Sequence, residues 1–221
     1  VWASQLRDLS ASIARPKSIL IVSAHWEAAP LMLGTTDGNA PLIYDFGGFD
    51  PKYYNLQYRT PGSTDLAAAV HAVLPDNGQP VDNERRGLDH GAYVPLMLMY
   101  PEGDIPVQQM SIPTHDPRQL FGLGRRLSAL RDQGVLIVGS GFMTHGLPFI
   151  HEYMGHVGPA PAWSVEFDRW AAEALARGDL DALFAFREKA PGMPYAHPTV
   201  EHFAPLFVTL GAAARPEDAP R

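Results

Sequence analysis

Hydrophobic positions along the chain follow two alternating patterns, helical stripes and short unbroken apolar runs. Trp2, Leu6, Leu9 and Ile13 recur at helical spacing until Arg15-Pro16 ends the run, predicting a helix over residues 2–14. Residues 18–23 are continuously apolar and rich in β-branched side chains, as a central strand buried on both faces requires, and they lead directly into Ala24-His25-Trp26. A helix is expected over 64–74, with Ser63 or Thr64 as N-cap and Asp65 in its first turn, then a short strand at 80–82 and a helix over 92–100. A strand at 105–112, an amphipathic helix over 117–131 and a second buried strand at 135–139 follow, and helices over 163–176, 180–186 and 200–213 close the chain. Residues 44–63 have no period and are rich in aromatics, glycine and proline, so they read as a structured loop of the kind that often lines sites. Strands alternating with helices predict a single α/β domain whose mostly parallel central sheet is covered by helices on both faces. Ligands then gather at the C-terminal ends of the strands.

Composition narrows the chemistry. The 221 residues contain no cysteine, so every metal ligand must be His, Asp or Glu. Seventeen basic against 24 acidic residues give a net charge of −7 with the basic groups scattered, which argues against nucleic acid as a partner. No apolar run reaches the roughly 20 residues of a membrane span, and no signal peptide is evident, so a cytoplasmic setting without membrane association is expected. Nine histidines are the compositional oddity, because His is the commonest metal ligand and the usual acid or base near neutral pH.

Two of them follow the two best strands: His25 directly after the first, and His145 a few residues after the second, beyond Ser140-Gly141. His90 lies in the glycine-flanked stretch Gly87-Leu88-Asp89-His90-Gly91, and His202 is expected in the first turn of the last helix. Taken singly, each is more often a packed or surface residue than a ligand; together they form a candidate set. His71 and His115 are assigned no role. His151-Glu152-Tyr153-Met154-Gly155-His156 mimics a zinc-protease helix, but its histidines are five apart rather than four, about 140° around the helix from one another. Gly139-Ser140-Gly141 lacks the third glycine of a dinucleotide fingerprint, and neither a phosphate-binding Gly-Lys-Ser/Thr nor a Gly-x-Ser-x-Gly elbow occurs. His25 and Glu27, two apart on an extended segment, are a weaker candidate for two ligands of a 2-His-1-carboxylate iron site.

Several of these stretches occur together in a known family. Ser23-Ala24-His25-Trp26, Tyr44-Asp45-Phe46-Gly47-Gly48-Phe49, the YRTPGS of residues 58–63, Gly87-Leu88-Asp89-His90-Gly91 and Pro198-Thr199-Val200-Glu201-His202-Phe203 resemble the DOPA 4,5-dioxygenase-like branch of the class III extradiol dioxygenases, in consistent order over nearly the whole chain. The resemblance implies an α/β enzyme that opens catechol rings next to the diol with O2 at a non-haem Fe(II), with zinc possible in the isolated protein. It implies His25 and His202 as metal ligands, His145 as ligand or acid/base, and His90 as the second acid/base. Family members open with a strand ending in a His-Gly turn whose histidine is also a ligand. This sequence starts downstream of it and stops before the family's last strand, so residues 1–221 are expected to be one catalytic domain truncated at both ends.

A catechol loses protons to chelate iron, so a histidine base beside the metal is expected, and His90 and His145 are the candidates. The aromatics Phe46, Phe49 and Tyr53-Tyr54 form either an apolar pocket for a planar ring or ordinary core. The partners expected are thus a small catechol and O2; the oligomeric state is unreadable. Two other readings stay open: a zinc hydrolase on the same ligands, and a non-catalytic binding protein of this fold.

Overall fold

The structure is a computed structural model that describes residues 2–74, 78–153 and 158–213. Its centre is strand β1 (Ser18–Glu27), flanked in parallel by β4 (Val107–Ile112) and β5 (Val135–Ser140). On the far side of β4 the sheet continues through β2 (Met32–Leu33), which runs antiparallel to β4, and β3 (Val81–Asp82), parallel to β2. The order β3-β2-β4-β1-β5 makes the sheet mostly parallel, as expected, with a short antiparallel step at one edge.

Side chains alternate across a strand, so β1 feeds two cores. Leu20 and Val22 point into one, with Leu33, Met110 and Ile112, against helices α2 (Thr64–Val73), α4 (Pro117–Leu127), α6 (Ala162–Arg177), α7 (Leu180–Phe184), α8 (Phe186–Lys189) and α9 (Ala204–Ala213). Ile19 and Ile21 point into the other, with Val107, against α3 (His90–Met99) and Leu6 of α1 (Trp2–Ser12). Both faces are therefore covered. Truncating Ile19 or Leu20, each with no exposed surface, to Ala would cost about 2–5 kcal/mol.

Three expectations need correction. Strand β5 is an edge strand, half-buried beyond Val135, because it has β1 on one side only; its apolar run reflects α9 and α3 packing over it, not two strand neighbours. The helix expected from 117 to 131 stops at Leu127 and continues as a 3-10 turn (Ser128–Gln133), closed by Gly134 in the left-handed region at φ 86°. The last helix begins at Ala204 rather than residue 200, so His202 sits in the turn before it.

Candidate metal centre

All four histidines of the predicted set meet at the C-terminal rim of the parallel strands. The His25 ring centroid is 4.0 Å from that of His90 and 5.0 Å from that of His202, and His202 stacks on His145 at 3.5 Å and 20°. Four separated segments are thus brought to one point, and each is held by its own local device.

His25 is within β1, which extends past the expected end at residue 23 as far as Glu27. A register irregularity between Val22 and Glu27 turns Glu27 away: exposed, it pairs with His115 at 2.5 Å, so the His25–Glu27 ligand pair is not formed. His71 likewise pairs with Asp82, at 2.9 Å, remote from the rim. Of the zinc-protease look-alike, the described residues 151–153 belong to the short helix α5 (Ile150–Tyr153), and residues 154–156 lie outside the described residues.

His90 is the first residue of α3 rather than part of a loop. Asp89 caps that helix, accepting from Ala92 N at 3.1 Å, and its fully buried carboxylate also accepts from Gln109 Nε2 and pairs with Arg86 at 3.1 Å. The Arg86 guanidinium lies over the Trp26 ring at 4.4 Å and donates to the His25 carbonyl at 3.4 Å. One buried ion pair therefore links the end of β1, the start of α3 and β4. Pro95 inside α3 removes the N–H that would bond the Gly91 carbonyl, and the Ser140 hydroxyl of β5 donates to that carbonyl instead, at 2.5 Å.

Beyond β5 the chain is laced to the approach to α9: Phe142 N donates to His202 O at 3.1 Å and His145 N to Ala196 O at 2.7 Å. His197, buried and absent from the predicted set, donates from Nε2 to Met143 O at 2.9 Å and so holds the same loop. Gly141 packs directly on the His202 carbonyl, where a side chain would not fit.

Two carboxylates complete the cluster. Asp45 contacts His90 Nδ1 at 2.7 Å and His25 Nδ1 at 3.2 Å, and accepts from His90 N at 3.2 Å. Glu201 Oε1 lies 3.9 Å from His145 Nδ1. Both stood in the quoted motifs, but nothing in periodicity marked them; a carboxylate in an aromatic loop gains meaning only once the loop is folded over the rim. Partial burial alone would raise the Asp45 carboxyl, but the hydrogen bonds from His25 and His90 outweigh it and hold the group far below the usual carboxylate range. Burial likewise lowers His25, yet Asp45, with Asp89 and Glu201, leaves it raised. His202 is pushed down to about 3 by burial and by its histidine neighbours, and burial also lowers His145, so both are neutral imidazoles. The Nδ1 atoms of His145 and His202 are buried without a hydrogen-bond partner.

Among the described residues, two sets of three groups have ligand atoms within 4.8 Å of one another: His25, Asp45 and His90, and His145, Glu201 and His202. Unprotonated imidazoles, orphaned ring nitrogens and carboxylates are the donor set of a divalent metal.

Comparison with known proteins places the chain in a family. Residues 2–219 match the family described as the catalytic LigB subunit of aromatic ring-opening dioxygenase. The chain belongs to this family. It is 45% identical over 205 residues to a 4,5-DOPA dioxygenase extradiol of Beta vulgaris, covering 90% of this chain and 74% of that one. A 4,5-DOPA dioxygenase extradiol of Escherichia coli K12 is 36% identical over 216 residues, with 96% and 78% covered. The crystal structure of an uncharacterized protein from Escherichia coli K12 has the same fold, with TM-score 0.79 and 30% identity over 96% of this chain and 82% of that one. The protein is an extradiol ring-opening dioxygenase of a metal-dependent class, and the single α/β domain expected of it is the fold observed.

Proposed function

We propose that the dioxygenase opens a catechol with O2 at a single Fe(II) held by His25, His145 and His202, and that His90 is the acid/base that carries the protons. The observation that supports this reading is the meeting of four imidazoles from four segments, two of them tied through Nδ1 to one carboxylate. When bound, the metal supplies a Lewis acid and a redox centre where diol and O2 meet.

The chain supplies the rest. Asp45, ionised, only accepts hydrogen bonds, so it keeps a proton on Nδ1 of both His25 and His90 and leaves each Nε2 lone pair free. For His25 that lone pair is a ligand; for His90 it is a base that takes a catechol hydroxyl proton and returns it to the opened product. His202 and His145 stay neutral at working pH because burial disfavours their cations. Phe142 lies parallel to the His145 ring at 6.0 Å and tilted by 34° to the His202 ring at 5.6 Å, an apolar neighbour of both imidazoles.

Anaerobic loading with Fe(II), followed by O2 uptake on adding catechol, tests the reading. One O2 consumed per ring opened is expected. Replacing His90 with Ala should keep the metal while turnover falls about 10²–10⁴-fold. A metal-loaded protein that consumes no O2 with any catechol, or a fully active His90→Ala variant, contradicts the proposal.

A further inference from the structure

Between β5 and the 3-10 turn at 147–149, residues 141–146 form neither helix nor strand, yet they carry His145. Cross-links hold them to the approach to α9. Phe142 N donates to the His202 carbonyl at 3.1 Å, His145 N to that of Ala196 at 2.7 Å, and His197 Nε2 to that of Met143 at 2.9 Å. The first two are main-chain bonds that any side chain permits; the third exists only because residue 197 is a histidine. A carbonyl only accepts, so the His197 proton is on Nε2 and Nδ1 is a bare lone pair. We infer that His197 is a positioning residue of the metal centre: its Nε2–H fixes the Met143 carbonyl and thereby seats the His145 ring on that of His202, so that both face one ion.

Core stability does not account for a histidine at this place. The ring is 1% exposed and packs against the buried Phe167 at 5.0 Å and Phe203 at 5.2 Å, and its Nδ1 is buried without a hydrogen-bond partner. An orphaned polar atom costs folding free energy. Burial also lowers the pKa of the ring, so a proton on Nδ1 brings no relief. An apolar ring of similar volume would fill the gap beside these two phenylalanines with no orphan, but it could not donate to Met143. That bond lands two residues before His145, while His197 itself stands five residues before His202. One side chain therefore ties together the segments of two proposed ligands, whose rings stack at 3.5 Å and 20° and move against each other with any shift of residues 143–145.

The inference rests on the reading of His145 and His202 as ligands of one ion, and the test separates the two. On the full chain, Fe(II) affinity is measured anaerobically by competition with a chelator, and thermal unfolding is followed without metal. The variants are His197→Gln, His197→Asn, Leu183→Ala and His145→Ala. Gln places an amide N–H where Nε2–H stands, whereas the shorter Asn stops short of the Met143 carbonyl. His197→Gln should bind Fe(II) within about three-fold of the unaltered chain, and His197→Asn about 10–100-fold more weakly. Leu183→Ala, which empties a core position with no exposed surface, should melt several degrees lower yet keep its affinity within about three-fold, because it loosens the core without touching the 143–145 loop. Unchanged affinity in His197→Asn, equal weakening in His197→Gln and His197→Asn, or an affinity that follows melting temperature so that Leu183→Ala is weakened as much, overturns the inference alone, provided that His145→Ala binds weakly. Unchanged affinity in His145→Ala overturns the ligand reading beneath it as well.

Discussion

Two side chains at the rim make their contributions readable at the level of single atoms. Asp45 fixes the tautomer and orientation of both His25 and His90, so Asp45→Asn, which cannot accept from two Nδ1–H groups with full negative charge, should weaken metal binding about 10–100-fold while the fold persists. Competition with a chelator of known affinity measures it, and unchanged affinity would show that the imidazoles hold their places unaided. Tyr93 behaves differently. Its buried hydroxyl lacks a hydrogen-bond partner, and burial together with Tyr44, Asp45 and Asp89 pushes its phenol up to about 12. A folded-state pKa above the unfolded value near ~10 means stability that is complete below pH ~10 and is lost as pH rises toward about 12. Tyr93→Phe should shrink that alkaline loss in denaturant titrations at a series of pH values, without abolishing it, since Tyr58 and Tyr100 are also raised.

At the scale of elements, the site depends on how β1, β4 and α3 are joined. Asp89 is fully buried, caps α3, and answers Arg86, which in turn touches Trp26 and the His25 carbonyl. Asp89→Ala would uncap the helix and strand the guanidinium, costing about 3–5 kcal/mol in stability and loosening His25 and His90 together. Thermal unfolding that shifts by less than a degree would contradict this role. The sequence pattern carried the elements whose packing is periodic: β1, α2, α4 and α6 are close to where their apolar spacing predicts them. It missed β2, two residues long, because so short a strand has no period, and it took β5 for a buried strand, although its edge position leaves it half-buried, because an apolar run does not report how many strands flank it. His90 was read as loop because glycines surround it, although Asp89 ahead of it is an N-cap.

For the whole molecule, what was legible was convergence. Histidines at strand ends in an α/β chain are carried to one rim by topology, which marked His25 and His145; a glycine-flanked stretch and a helix start marked His90 and His202, and only the roles of the four came from the motifs of a known family. Asp45, Glu201 and His197 were not legible as partners, because their meaning lies in three-dimensional hydrogen bonds between loops far apart in sequence. In the proposed function these separate segments bind one metal ion. Anaerobic titration with Fe(II), followed by metal analysis of the desalted protein, tests it most directly on the unaltered chain and on His25→Ala and His202→Ala. One ion per unaltered chain and a loss of at least about 100-fold in affinity in each variant are expected; stoichiometric binding that survives both replacements would mean that these segments do not share a metal.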